Sequence, residues 1–196
     1  MRKSLSFVSC LGFVVCLGAA SDYQQPASGY QKPTDAELRS NIPTNPVKHC
    51  SSQNGLPDSA CTPGATRTVT LDEICKGPST STIRPADTYT DDLKKAQIIE
   101  YGWTDTNPAD YEEDHLISLE IGGDPTDPKN LWPEPYAGNF NSHMKDKVED
   151  WLHAQVCSGK MTLEQAQNGI RTNWEQYITA ASAASAHTHH PASKTQ

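Results

Sequence analysis

After its first 20 residues the chain has no apolar run of the about 20 residues that a spanning helix requires. The rest of the chain is therefore expected to be soluble. No C-x-x-C pair occurs, so the usual zinc-binding cysteine layouts are missing. No internal repeat is visible. Basic residues are scarce, with 16 Lys+Arg against 24 Asp+Glu. Such a balance argues against a high-affinity duplex binder, which normally carries a basic footprint. It leaves room for an enzyme that touches phosphate briefly, because a bound divalent cation can supply local positive charge. Acidity also favours solubility outside the cell.

The N-terminus sets the expected compartment. Met1, Arg2 and Lys3 are followed by an apolar stretch through Phe7, Val8, Leu11, Phe13, Val14, Val15 and Leu17, then by Gly18-Ala19-Ala20. This is the layout of a secretory signal peptide over residues 1–20, cleaved after Ala20. An uncleaved anchor is the alternative. Phe7-Val8-Ser9 before Cys10 fits a lipoprotein signal poorly. The predicted location is secreted or periplasmic. Loss of Arg2 and Lys3 leaves 14 basic against 24 acidic side chains, a net charge of −10. Cys50, Cys61, Cys75 and Cys157 remain in the mature chain, an even set that predicts two disulfides. Spacing leaves all three pairings open, with a zinc site as the lesser alternative.

Residues 21–48 read as a disordered tether, broken by Pro26, Pro33, Pro43 and Pro46, with one brief helical turn near Asp35. Residues 182–196 read as a disordered tail whose histidines could bind metal adventitiously. The folded part is then residues 49–181, one domain by length. Residues 67–71 alternate like a strand. Thr90-Asp91-Asp92 and Gly102 bracket a short helix. Residues 111–121 alternate, Gly122-Gly123-Asp124-Pro125 turns the chain, and Asn130-Leu131-Trp132 makes a short second strand stopped by Pro133 and Pro135. From about residue 141 to 158 the period becomes helical through Met144, Val148, Trp151, Leu152 and Val156. Thr162 with Gln165 is a capping box that opens another helix. The fold class expected is α+β.

Phosphodiester hydrolysis needs a base to activate water, a cation to offset developing charge, and fixed distances between them. The chain offers Asp114-His115, then Asn130, then Asn139 and His143. The run Asp114-His115-Leu116-Ile117-Ser118-Leu119-Glu120-Ile121-Gly122-Gly123, followed by Asn130-Leu131-Trp132-Pro133 and by His143, resembles the core of HNH nucleases. In particular it is similar to a group of exported HNH-like proteins with an N-L-W-P-x-P motif. That resemblance implies a small ββα-metal finger embedded in a mostly helical, disulfide-stabilised domain. It implies His115 as general base and Asp114 and His143 as ligands of one divalent cation. Asn139 is a third candidate ligand, and Asn130 a brace that orients His115. Lys145 and Lys129 are candidate phosphate contacts.

Magnesium or manganese is the first expectation for the ion, with zinc or nickel open. The products implied carry 5′-phosphate and 3′-hydroxyl ends. The expected substrate is nucleic acid, DNA ahead of RNA, cut with low sequence specificity by a monomer. Strand alternation sets Asp114 and His115 on opposite faces, which sits awkwardly with a shared site unless the strand is re-aimed.

Plainer readings exist for each residue. His115 alone would be a satisfied core histidine, Asn139 or Asn141 a helix cap, and Trp132, Trp151 and Trp174 core rather than base-stacking platforms. Two other classes stay open: a catalytically inactive HNH-like metal-binding module, and a disulfide-stabilised cell-envelope interaction protein without metal.

Overall fold

A computed structural model of the chain describes residues 30–188. The signal segment expected at 1–20 and the histidines at 189 and 190 lie outside the described residues. The architecture is α+β. The elements are α1 (Asp35–Ser40), β1 (Ser52–Gln53), β2 (Leu56–Pro57), α2 (Leu71–Lys76), α3 (Asp87–Tyr101), β3 (Tyr111–His115), β4 (Leu131–Pro135), α4 (Ser142–Cys157), α5 (Leu163–Asn173) and α6 (Ile178–Thr188). The strands form two antiparallel pairs, β1 with β2 and β3 with β4.

Local signals open several helices. Thr34 with Glu37, Thr70 with Glu73, and Thr162 with Gln165 form capping boxes at α1, α2 and α5. The box at Thr70 explains why residues 67–71 are not a strand. Only Thr66 makes a bridge, to Gly123, and Leu71 already begins α2. Helix α3 starts at Asp87, ahead of the cap expected near Thr90, and ends at Gly102 with φ +64°. The extra turn buries Tyr89, whose hydroxyl donates to the Thr126 carbonyl at 2.7 Å.

Among the described residues three buried apolar clusters hold these elements, the third being Cys50 and Tyr101 packed on Trp132. In the largest, α4, α5 and α6 enclose Ile117, Ile121, Val148, Leu152, Val156, Ala166, Ile170 and Trp174. In the second, Leu38 of α1 packs with Tyr89, Leu93 and Leu131. Residues 30–48 thus do more than tether, since Leu38 is 2% exposed. The C-terminal end is also longer than composition suggested. Helix α6 runs through Thr188 and buries Ala181. Trp132 and Trp174 are fully buried, as core residues.

The disulfides pair Cys50 with Cys61 and Cys75 with Cys157. The second ties α2 to the end of α4. Among the described residues no helix is long and apolar enough to cross a membrane. Disulfides and the lack of such a helix are compatible with an extracellular protein.

Candidate active site

Strand β3 ends at His115, six residues short of the alternating run that the sequence displays. Its partner β4 lies in register with Asp114 opposite Trp132 and His115 opposite Leu131. Strand β4 extends through Pro133 and Pro135, because a two-stranded sheet has only edges and leaves a proline free of any ladder bond. Beyond His115 the chain turns inward. The alternation of Ile117, Leu119 and Ile121 is not that of a half-buried strand, because Leu116 and Ser118 between them are buried as well.

Asn130 is the reason the turn holds. It is fully buried. Its Oδ1 accepts from the Ile117 N–H at 2.9 Å, and its Nδ2 donates to the carbonyls of Ile117 and Asp124, both at 3.0 Å. Gly123 permits this closure. A Cβ there would stand 1.8 Å from the Ile117 carbonyl oxygen and 2.8 Å from Asn130 Nδ2. Gly122 supplies the left-handed φ of +86° just before it. The Asp124 carboxylate accepts from the N–H groups of Thr126 and Asp127, each at 2.9 Å. That fixes the loop whose Pro125 carbonyl receives His115 Nε2–H at 3.1 Å. Asn130 thus ties the Ile117 backbone to the Asp124 carbonyl, and its side-chain bonds go to this loop and not to His115.

The Pro125 carbonyl can only accept, so Nε2 carries the proton and Nδ1 is left as the acceptor. His115 is 4% exposed. Burial lowers its pKa to about 4. Arg84 and Lys145 push the same way, while Asp114 and the Pro125 carbonyl oppose. The ring is neutral at neutral pH.

Asp114 points elsewhere, as strand alternation requires. Its Oδ2 accepts from Lys145 Nζ at 2.5 Å. The same ammonium donates to the His115 carbonyl at 2.9 Å and forms an ion pair with Glu149 one turn along α4. Burial raises the Asp114 carboxyl most, but Lys145, a hydrogen bond from Glu134 and His115 together leave its pKa below the ordinary value. Burial pushes Glu149 up to about 8 against the pull of Lys145. Glu134 of β4 is fully buried and lies against Asp114. Burial, helped by that neighbouring carboxylate, holds its pKa well above the usual range. Burial opposes the charge on Lys145, yet Asp114, Glu149 and Glu134 hold its pKa well above normal.

Asp114 and His115 nevertheless meet one cleft of ≈ 210 Å³, because the chain turns directly after them. Its walls add Arg84, Glu120, Asp146, Glu149 and Asp150. Arg84 and His115 also border a second cleft of ≈ 230 Å³ with Glu112, Glu113 and Tyr136. The remaining expected residues stand outside this centre. His143 is 68% exposed in its side chain, 4.0 Å from Asp146, and its ring stacks over Tyr136 at 5.4 Å. Asn139 is exposed, and Asn141, not Asn139, caps α4. Lys129 is exposed and is not among the residues lining either cleft. Lys145 corrects the sequence reading most sharply. At 1% exposure, with its ammonium committed to two carboxylates and a carbonyl, it cannot touch phosphate.

Three participants went unread in the sequence: Arg84, Glu134 and Glu149. Lys145 and Glu149 are spaced i,i+4 on one helix, which could have flagged a pair. Nothing local marks Glu134 or Arg84. Among the described residues, the groups of potential ligands within metal-binding reach are His49 with Cys50 and Cys61, and His153 with Cys75 and Cys157. Both are built on disulfide sulfurs, which offer no thiolate. No family model, curated protein or solved structure matches the chain, so the HNH resemblance stands on its residues alone.

Proposed function

We propose that this chain hydrolyses phosphodiester bonds of nucleic acid outside the cell, with His115 as the base. The observation that carries this reading is the state of His115. It is a neutral imidazole, locked by Pro125 with Nδ1 as its acceptor nitrogen, at the wall of a cleft beside the exposed Arg84. A held, neutral imidazole with a free acceptor nitrogen can take a proton from water at neutral pH, although at a pKa of about 4 it is a weaker base than a free histidine. Arg84 is the cationic side chain that lines both clefts and so can meet a phosphate there. The acidic walls predict weak binding of a polyanion and low specificity, since Glu120, Asp146 and Asp150 face the same space.

The resemblance also implies a divalent cation, which would offset charge on the phosphate and leaving oxygen. The residues expected to hold it do not fit that task. Asp114 is committed to Lys145, while His143 and Asn139 stand exposed at the start of α4 and just before it.

A plasmid-nicking assay tests the proposal, with Mg²⁺, Mn²⁺ and EDTA arms and RNA as a parallel substrate. His115→Ala is expected to lose about 10²–10⁴-fold in rate. Equal cutting by His115→Ala would overturn the role of His115. A second reading, a catalytically silent module of the same fold, is favoured by the Lys145–Asp114 pair. It gains if the wild-type chain cuts neither DNA nor RNA in any arm.

A further inference from the structure

Lys145 carries a charge where charge is expensive. An ammonium withdrawn from water is strongly disfavoured unless acceptors surround it. Here the structure supplies one acceptor for each of its three N–H bonds: the carboxylates of Asp114 and Glu149 and the carbonyl of His115. The acceptors come from the end of β3 and from α4, so a single positive charge joins the strand pair to the helix. Two carboxylates and a carbonyl are a set of hard oxygens, the donors that a hard divalent cation takes. Glu134 adds a third carboxyl against Asp114. Asp114 and Glu149 both line the open cleft while Lys145 does not, so the point at which they meet lies just behind the cleft wall and opens to it once the Lys145 side chain is shortened.

We infer that the Lys145 ammonium is a tethered substitute for a divalent cation, filling the point where Asp114, Glu149 and the His115 carbonyl converge. Two consequences follow. The wild-type chain takes up no divalent ion at Asp114. Shortening the Lys145 side chain vacates an oxygen-lined position that a free ion then occupies. Neither depends on phosphodiester cleavage, so the inference and the proposed activity can fail separately.

The test is Mn²⁺ uptake by equilibrium dialysis, paired with thermal unfolding, on the intact disulfide-bonded chain. Each protein is compared with its Asp114→Asn counterpart, which subtracts ions held by the histidines near the C-terminus. Wild type is expected to show no Asp114-dependent uptake, and added Mn²⁺ should shift its Tm no more than it shifts that of Asp114→Asn. Lys145→Ala is expected to bind one Mn²⁺ that Asp114→Asn abolishes. Its Tm should rise by about 5–10 °C at an ion concentration 100 times Kd. Lys145→Met fills the space without the charge and should do neither. Asp114-dependent uptake by wild type overturns the inference, as does a folded Lys145→Ala that binds no ion. If Lys145→Ala folds neither with nor without Mn²⁺, the wild-type and Lys145→Met arms decide. Asp114-dependent binding in either refutes the inference, and its absence in both supports it.

Discussion

Lowering the pH from 7 to 4 should cost this protein stability through one ring, and the size of the loss can be worked out. His115 titrates at about 4 in the folded chain because burial disfavours its charged form, with Arg84 and Lys145 adding to the effect. In the unfolded chain the ordinary value is about 6.5. Between these limits the unfolded state binds a proton that the folded state refuses. Stability therefore rises with pH across that window and is lost as pH falls through it. At about 1.4 kcal/mol per pH unit, the gap corresponds to about 3 kcal/mol.

Glu149 works against this. Its folded pKa of about 8 lies above the ordinary value, so its contribution is complete at low pH and disappears as pH rises toward 8. A wild-type profile alone would blur the two. His115→Gln separates them, because the amide can still donate to the Pro125 carbonyl while titrating nothing. Urea unfolding of both proteins at pH 4, 5, 6 and 7 gives the difference directly. The wild-type advantage should shrink by about 3 kcal/mol from pH 7 to pH 4. A difference constant to within about 0.5 kcal/mol would refute the reasoning, since His115 would then titrate like an exposed histidine. The titration of its ring carbon protons by NMR should independently show a midpoint near 4.

The two disulfides should differ in worth. Cys75–Cys157 closes a separation of 82 residues and Cys50–Cys61 one of 11, so loop-closure entropy assigns them about 4.5 and about 3 kcal/mol. Chemical unfolding of the paired Cys→Ala variants checks the order, and an equal loss from both would contradict it. Asn130→Ala should cost about 3 kcal/mol, because it leaves the Ile117 N–H, the Ile117 carbonyl and the Asp124 carbonyl without their buried partner. A loss below about 1 kcal/mol would mean that the loop re-pairs without it.

Much of the frame was legible in advance because its causes are local. The capping box of Thr162 and Gln165 depends on residues three apart, and the apolar period of α4 on one helix face. The order of strand, loop, short strand and helix around the Asp114-His115 pair could be read the same way. Local signals also misled. Residues 111–121 alternate as a strand should, yet the ladder stops at His115, because Asn130 captures the Ile117 backbone from 13 residues away.

The sequence by itself determined which chemical groups are present, and their order: a histidine beside an aspartate, a glycine pair, a bracing asparagine, and an acidic chain with an even cysteine set. Only the tertiary structure decided which groups meet. It joined Cys75 to Cys157 across the chain and folded Leu38 onto the core. It left His143 at the surface and turned Lys145 inward onto Asp114, 31 residues earlier. The physical reason is that a buried charge must find its counter-charge, and that partner is chosen by packing in space, which no short sequence period records.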